Sequence, residues 1–293
     1  MQKIVVVGAG TMGNGIAHVF AQFGKDVTLV DLQQAALDKA QSTISRNLDR
    51  QVAKERLTAA EKDATLDRLT LTTELAGACA GAELIVEAAT ENKAVKLEIF
   101  RKLDAYAPAG AILASNTSSI SITQIAAVTE RPSQVIGMHF MNPVPIMKLV
   151  EVIRGYASSD ETTRAVMDLS RSLSKTPVEV NDYPGFISNR ILMPMINEAV
   201  YSLWQGVADV EAIDTVMMLG MAHPMGPLHL ADFIGLDVCL SIMRVLQDGL
   251  GIDKYAPCPL LVNMVAAGKL GVKSGEGFYR YVKGSKEKTA IAF

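Results

Sequence analysis

The amino-terminal part of the chain alternates between continuous apolar runs and apolar positions at helical spacing. Lys3–Val7 contains four consecutive β-branched residues, which is typical of a strand buried on both faces of a sheet. Residues 16–23 carry apolar side chains at helical intervals, Gly24 ends that pattern, and Asp26–Val30 follows as a second strand pattern. The pattern therefore predicts a strand, a helix and a second strand in succession.

The alternation continues through residue 180. Further strands are predicted at Glu83–Ala88, Ala111–Ser115, Val135–Phe140, Met147–Ile153 and Val178–Val180. Helical patterns lie near Glu91–Ala107, Ser121–Ala127 and Asp160–Ser174. The segment from Gln33 to Arg68 has no strand signal, so it predicts a helical insertion of one long and one shorter helix. Alternating strands and helices predict an α/β domain with a Rossmann-type, doubly wound and mostly parallel sheet.

The character of the sequence changes after Asn181–Gly185, where proline and glycine mark a boundary. Residues 186–204 are apolar nearly all round, which predicts a buried helix. Further helices are predicted at Asp209–Leu219, His229–Leu246 and Cys258–Ala267, before a single strand pattern at Gly277–Val282. We therefore predict a domain of residues 1–183 followed by an all-α C-terminal domain of residues 184–293. Eight of the fourteen methionines fall in the second domain, and this apolar composition predicts a homodimer interface there.

Composition narrows the class of protein. A net charge of −3 argues against a nucleic-acid partner. The three cysteines form no CxxC pair, which predicts no metal site and suits a reducing compartment. The chain runs directly into its first strand, and its apolar runs are too short to cross a bilayer. These features predict a cytoplasmic protein without a membrane partner.

A glycine-rich motif lies between the first strand and the first helix, and it consists of Gly8, Ala9, Gly10, Thr11, Met12 and Gly13. In that position the glycines permit a tight turn and a close backbone approach to a pyrophosphate, which the helix N-terminus also attracts. Asp31 follows the second strand, where an acid binds ribose hydroxyls and repels a 2′-phosphate. The motif therefore predicts NAD rather than NADP. The alternative is a glycine-rich turn in another α/β protein.

Polar residues follow three successive predicted strands. They are Glu87, Glu91 and Lys96 after one strand, Ser115, Asn116, Thr117, Ser118 and Ser119 after the next, and His139 and Asn142 at the third. Ligands of open α/β sheets bind at the carboxyl ends of the strands. These groups therefore predict a ligand site, although a serine here is also a common helix N-cap.

The segment Gln134–Arg154 predicts two short strands joined by a turn that contains two prolines. His139 and Glu151 lie almost symmetrically about the turn, so a hairpin-like fold-back would bring them together. A carboxylate fixes the tautomer of an imidazole and strengthens it as a general base or acid. The alternative is a core histidine bound to a backbone carbonyl and a glutamate on an exposed face.

Basic residues recur along the predicted long helix. Lys39, Arg46, Arg50 and Lys54 are spaced by seven, four and four residues, with Asn47 beside them. Such a face could bind phosphates, but spacing alone favours a solvated face that pairs with nearby acids. His18 lies in the helix predicted after the glycine-rich motif, and we expect it to be exposed to solvent. Asn189 lies near the start of the buried helix predicted at residues 186–204, and we expect its side chain to bind either backbone or a ligand.

Six motifs in order resemble the 3-hydroxyacyl-CoA dehydrogenase family. They are GAGTMG with the acid Asp31, ATENKAVK, SNTSS, GMHFMNPVPIMKLVEV, PGFISNR and HPMGPLHLADFIGLD. The resemblance covers essentially the whole chain and is strongest to the short, single-function bacterial members.

The resemblance implies an NAD-dependent interconversion of 3-hydroxyacyl-CoA and 3-oxoacyl-CoA. His139 would be the catalytic base and acid, Glu151 would orient it, and Ser118 and Asn189 would hold the substrate oxygen. The NAD contacts implied are the glycine loop, Asp31, Glu91, Lys96, Asn116, Ser118, Asn142 and Lys273. The coenzyme A contacts implied are Asn47, Arg50, Lys54 and Ser118, and domain closure on the acyl-CoA substrate is expected.

Two other classes are compatible with parts of the sequence. Dehydrogenases of the 3-hydroxyisobutyrate and 6-phosphogluconate type share the opening motif but use a lysine in a GGxxGxxxK-like run, which is missing here. A non-catalytic, crystallin-like relative would share the fold alone. The intact set Ser118, His139, Glu151 and Asn189 argues against both.

Overall fold

The computed structural model describes residues 1–282, 284–285 and 287–293. The chain divides into two compact units, Met1–Tyr183 and Pro184–Phe293. Across the described ranges, no helix has both the length and the apolar character needed to cross a membrane.

The first unit, all of whose residues are described, is built on an eight-stranded sheet. Its strands are β1 (Lys3–Val7), β2 (Asp26–Val30), β3 (Leu69–Thr72), β4 (Leu84–Glu87), β5 (Ile112–Ser115), β6 (Val135–Phe140), β7 (Leu149–Arg154) and β8 (Thr176–Asn181). They lie in the order β3-β2-β1-β4-β5-β6-β7-β8. Every neighbouring pair is parallel except β6 and β7, which are antiparallel. The predicted fold-back and the mostly parallel sheet are therefore both present.

Helices connect these strands. They are α1 (Thr11–Gln22), α2 (Gln34–Val52), α3 (Ala59–Asp67), α4 (Leu75–Cys79), α5 (Lys93–Tyr106), α6 (Ile122–Ala126) and α7 (Asp160–Ser172), with a 3₁₀ turn at Pro132–Gln134. Polar side chains cap the N-termini of several of these helices. Thr58 and Glu61 form a capping box at α3, and Asn92 and Ser159 cap α5 and α7. The predicted insertion is α2 and α3. Strand β3 directly after it was not predicted, because its four residues form a partly exposed edge.

The second unit is helical. It contains α8 (Ser188–Trp204), α9 (Val210–Thr215) continued by a π-helical turn (Val216–Gly220), α10 (Pro227–Ile234), α11 (Leu236–Leu250) and α12 (Pro259–Ala266), with 3₁₀ turns at Asp253–Tyr255 and Val272–Ser274. A short antiparallel ribbon of β9 (Tyr279–Tyr281) and β10 (Lys288–Ala290) accompanies the helices. The predicted helix His229–Leu246 is two helices, since Gly235 between them has φ +104°, in the region that favours glycine.

Two buried aspartates tie the ribbon to the helices. Asp232 of α10 accepts from the backbone N–H groups of Phe278 and Tyr279, both at 2.9 Å. Asp214 of α9 accepts from the Tyr279 hydroxyl at 2.7 Å. Burial raises the pKa of Asp232, because it disfavours the charged form. These carboxylates are satisfied within the fold, which indicates a structural role.

The expectation that His18 is exposed was wrong. His18 lies on α1, is fully buried, and its Nε2 is 3.4 Å from the side-chain amide of Gln51 on α2. Burial lowers the pKa of His18 to about 4. Its Nδ1 has no hydrogen-bond partner within the described part of the chain. The spacing of apolar residues along α1 indicated that His18 lies beside the apolar face of this helix. It did not indicate that α2 packs over His18.

Candidate active site

The glycine loop between β1 and α1 has no room for side chains at two of its glycines. Gly8 has φ +102°, and a Cβ added there would lie 2.6 Å from the Ala89 Cα. A Cβ added at Gly13 would lie 1.7 Å from the carbonyl oxygen of Gly8. At Gly10 no atom lies within 4 Å of the added position, so this side of the loop is open. The loop is a cradle whose backbone another molecule can approach directly.

Asp31, immediately after β2, supports this loop. Its Oδ2 accepts from the Ala9 N–H at 2.8 Å, and its Oδ1 accepts from the Gln33 N–H at 3.0 Å. Helix α1 begins at Thr11, so its positive N-terminal end faces the same loop. An open backbone cradle, a helix N-terminus and a carboxylate fit the pyrophosphate and the adenosine ribose of a dinucleotide.

His139 and Glu151 are direct partners in the antiparallel pair β6–β7. Opposed residues of an antiparallel pair place their side chains on the same face, and here the His139 Nδ1 lies 2.9 Å from the Glu151 Oε2. Both residues are buried, at 6% and 2% exposed. A carboxylate only accepts, so Nδ1 carries the hydrogen and Nε2 of the neutral ring is an acceptor.

Ser118 completes this line of side chains. Its Oγ lies 3.0 Å from the His139 Nε2, on the opposite side of the ring from Glu151. A Ser–His–Glu line also occurs in hydrolases, where a backbone N–H beside the serine stabilises an oxyanion. Here the Ser118 N–H donates to the Glu91 carboxylate at 2.6 Å. The negative charge of Glu91 would oppose an oxyanion, so the geometry suits proton transfer by His139 rather than attack by Ser118.

The connection between β6 and β7 is held by a residue that the sequence did not single out for this purpose. Lys175, just before β8, donates from Nζ to the carbonyl oxygens of Val144 at 2.5 Å and Met147 at 2.7 Å. Burial lowers the pKa of Lys175. Val144 also packs on Gly15 of α1, where an added Cβ would lie 2.9 Å from the Val144 Cβ. The turn that carries Asn142, with a cis bond to Pro143, is thus fixed from two sides.

The other polar residues at the strand ends form one hydrogen-bonded cluster. Glu91 accepts from the Thr117 hydroxyl at 3.0 Å as well as from the Ser118 N–H. The Lys96 ammonium is buried and lies 3.7 Å from the Glu91 Oε2. Asn116 uses its side-chain oxygen to accept from the Phe140 N–H at 2.9 Å, which ties β5 to β6. The structure therefore brings Glu91, Lys96, Ser118, His139 and Glu151 together.

The remaining predicted residues lie outside this cluster. Asn47 and Arg50 are on α2, half-buried and exposed respectively, and Lys54 is exposed just beyond the end of that helix. Among the acids near Arg50 and Lys54, Asp49 pairs with Lys62 instead, at 2.5 Å.

Two predicted residues belong to the second unit. Asn189 is in the first turn of α8 and is 8% exposed. Lys273 lies in a 3₁₀ turn and forms an ion pair with Asp237 of α11.

The chain matches one family over nearly its whole length. Residues 3–183 match the profile of the 3-hydroxyacyl-CoA dehydrogenase NAD binding domain, and residues 185–281 match the profile of the C-terminal domain. The chain belongs to the 3-hydroxyacyl-CoA dehydrogenase family. Membership of this family confirms the predicted resemblance, the Rossmann-type fold class, the oxidoreductase class and NAD as the cofactor.

Relatives of known name within the family match end to end. A probable 3-hydroxybutyryl-CoA dehydrogenase of Bacillus subtilis is 54% identical over 290 residues, which are 99% of this chain and 99% of the relative. The 3-hydroxybutyryl-CoA dehydrogenase of Bradyrhizobium diazoefficiens is 53% identical over 286 residues, or 98% and 97% of the two chains. The crystal structure of (S)-3-hydroxybutyryl-CoA dehydrogenase from Ralstonia eutropha gives a TM-score of 0.94 at 49% identity, covering 97% of this chain and 100% of that one.

Proposed function

We propose that this protein is an NAD-dependent dehydrogenase that interconverts (S)-3-hydroxybutyryl-CoA and acetoacetyl-CoA. The observation that carries the proposal is the line Ser118–His139–Glu151, with contacts of 3.0 and 2.9 Å, at the sheet edge where the glycine loop also lies. The names of the relatives given above support the choice of a short 3-hydroxyacyl-CoA.

His139 is the proton-transfer group in this proposal. In the oxidative direction its Nε2 takes the proton of the substrate 3-hydroxyl, while Nδ1–H remains bonded to Glu151. Glu151 then stabilises the imidazolium, a charge that develops mainly in the transition state. NAD, when bound, supplies the acceptor for the hydride that leaves C3. In the reductive direction the same nitrogen returns the proton to the oxygen.

Ser118 and Asn189 position the substrate in this proposal. The Ser118 hydroxyl already contacts the His139 nitrogen that exchanges the proton, so it is placed to bind the substrate oxygen as well. We assign Asn189 to the same oxygen from the family resemblance. Holding the reacting oxygen in one place is a positioning effect that lowers the entropy loss of the reaction.

The contacts to NAD and to coenzyme A are also proposals. The residues assigned to NAD are Gly8, Ala9, Gly10, Thr11, Met12, Gly13, Asp31, Glu91, Lys96, Asn116, Ser118, Asn142 and Lys273. The residues assigned to coenzyme A are Asn47, Arg50, Lys54 and Ser118. The exposed cationic groups of Arg50 and Lys54 suit the phosphates of the coenzyme.

The test is the loss of NADH absorbance after acetoacetyl-CoA is added to the purified protein. We expect rapid turnover, and we expect His139→Gln to lower kcat by about 10²–10⁴-fold, the usual contribution of general acid–base catalysis. His223→Gln, a change of the same kind in a surface loop of the second unit, should leave kcat unchanged. Activity with free hydroxy acids alone would support the 3-hydroxyisobutyrate type instead, and a His139→Gln enzyme within threefold of the wild type would remove His139 from the mechanism.

We also propose that the protein is a cytoplasmic homodimer. All three cysteines are buried free thiols, which suits a reducing compartment. Large apolar side chains are exposed on the second unit, including Leu219 at 81%, Val207 at 72% and Ile191 at 66%. Such a surface is characteristic of a protein interface, and a second copy of this chain is the partner we propose.

A further inference from the structure

One buried carboxylate at the active-site edge has no part in the mechanism above. Glu87 is the last residue of β4 and is 0% exposed. Its Oε1 accepts from the Ala89 N–H at 2.8 Å, and its Oε2 accepts from the Ser115 hydroxyl at 2.9 Å and from the Lys96 ammonium. A buried ion pair is weak evidence for stability, since well-packed apolar residues often replace it without loss. Its presence here therefore calls for another explanation.

Glu87 lies between the two loops that define the site. Its neighbours in the sheet register are Val7, directly before the glycine loop, and Ser115, directly before the loop that carries Ser118. The bond to the Ala89 N–H fixes the backbone that Gly8 closely approaches. The bond from Ser115 fixes the start of the other loop, because the Ser115 Oγ also accepts from the Thr117 N–H at 3.2 Å.

The contacts continue from Glu87 to the proposed base. Lys96, held by Glu87, lies 3.4 Å from the Ser115 Oγ and 3.7 Å from the Glu91 Oε2. Glu91 accepts from the Ser118 N–H at 2.6 Å. The Ser118 Oγ then contacts the His139 Nε2 at 3.0 Å. One buried carboxylate is thus connected to the histidine through an ammonium, a second carboxylate and a serine.

We propose that Glu87 is a positioning residue of the active site, which sets the position of the Ser118 hydroxyl against His139 through Lys96 and Glu91. This inference rests on the proposed function. With Glu87 ionised, the Lys96 ammonium stays between the two carboxylates, and Glu91 stays on the Ser118 N–H. Without that charge the ammonium loses its closest negative partner and moves toward the remaining carboxylate of Glu91, which shifts the loop that carries Ser118.

The test compares Glu87→Gln with Glu83→Gln. Glu83 directly precedes β4, at the opposite end of this strand from Glu87. There it accepts from the backbone N–H groups of Gln2 and Lys3. At saturating NADH we expect Glu87→Gln to lower kcat by about 10- to 100-fold, as a displacement of about 1 Å does elsewhere. The KM for NADH should change less than about threefold, and Glu83→Gln should keep wild-type kcat.

A second measurement does not depend on turnover. The chain has four histidines, so ¹⁵N-labelled imidazole resonances can be resolved, and the His139→Gln variant identifies those of His139. We expect the His139 Nε2 resonance to shift in Glu87→Gln and to stay in place in Glu83→Gln. A role of Glu87 in the fold alone would lower thermal stability without moving this resonance in the folded protein.

A double variant covers the case in which Glu87→Gln does not fold. Glu87→Gln with Lys96→Met removes both buried charges, and it should fold with the His139 Nε2 resonance displaced from its wild-type position, a readout that does not depend on the NAD contact assigned to Lys96. The proposal is overturned by a folded single or double variant with kcat within threefold of the wild type, by an unmoved His139 resonance, or by failure of both variants to fold, which would assign Glu87 to the fold. An inactive wild type would instead contradict the proposed function, and the resonance would still test the contact.

Discussion

The Glu151 carboxylate serves His139 in two ways. By accepting the hydrogen on Nδ1, it leaves Nε2 as the only acceptor of the neutral ring, and it compensates the charge when Nε2 gains a proton. Both effects depend on the antiparallel register, in which the two residues are direct partners. A slip by one residue would turn one of the side chains to the other face of the sheet.

Asp31 should decide the choice between the two nicotinamide cofactors. We expect Asp31→Ala to reduce the preference for NADH over NADPH by about tenfold, roughly 1.4 kcal/mol, because the carboxylate no longer repels a 2′-phosphate. The measurement is the ratio of kcat/KM with the two cofactors. Asp26→Ala is the matched control, because Asp26 is the exposed first residue of β2, the strand that Asp31 follows. An unchanged ratio in Asp31→Ala would show that another group distinguishes NADH from NADPH.

Individual residues were predictable where a motif or a strand register constrains them. His139 and Glu151 followed from their symmetry about a proline turn, and Asp31 followed from its place after β2. Glu87 was predicted as one of the polar residues at the strand ends, but its contacts and those of Lys175 were not. Their partners lie far away in the sequence, 31 residues apart for Lys175 and Val144 and 28 for Glu87 and Ser115. Local pattern carries no information about such partners.

At the scale of elements, the packing of α1 on α2 buries a histidine that would be charged in acid. His18 has a pKa of about 4 in the folded protein, against an ordinary value of about 6.5 when unfolded. The unfolded state therefore binds the proton more tightly. The contribution of neutral His18 to stability is complete above about pH 6.5 and is lost as the pH falls toward 4, by about 3 kcal/mol in total.

Removing this titration should flatten the dependence of stability on pH. We expect His18→Gln to lose less unfolding free energy than the wild type between about pH 7 and pH 4.5, since glutamine has no proton to gain. Urea unfolding at both pH values measures the difference. His223→Gln retains His18 and should behave as the wild type does. Equal losses in His18→Gln and the wild type would contradict the assignment.

Elements were predictable where apolar runs are long and buried. β1, β2 and β6 have the predicted bounds, because each is rich in apolar residues and most of its side chains are buried. The single predicted helix His229–Leu246 is broken at Gly235, a position where the apolar period continues across the break. Glycine is often tolerated inside a helical pattern, so Gly235 alone did not indicate that the helix ends there.

At the scale of the whole molecule, the second unit exposes several large apolar side chains. The π-helical turn after α9 contributes Val216, Met218 and Leu219, and Met221 follows it. Phe233 of α10 is 60% exposed as well. An apolar core can be predicted from composition, but whether the remaining surface meets a second copy depends on its shape, which composition does not describe.

The mass in solution tests the proposed dimer. We expect light scattering at micromolar concentration to give twice the chain mass of 31.4 kDa. Leu219→Lys should shift the protein toward the monomer, because a buried unpaired ammonium opposes association. Leu32→Lys, on a first-unit residue that is 92% exposed, is the matched control and should leave the mass unchanged. A wild-type mass of one chain would rule out the dimer under these conditions.

The bond of Lys175 to the turn between β6 and β7 has a consequence for the order in which the site is assembled during synthesis. Both members of the proton-transfer pair leave the ribosome before Lys175 does, and until then the carbonyl groups of Val144 and Met147 lack the donor that they have in the folded protein. A nascent chain that stops short of β8 can therefore form the hairpin, but it lacks the ammonium that holds the turn in place. The turn then has its contact with Gly15 of α1 alone, and its second support comes from a residue outside the proton-transfer pair that is translated later.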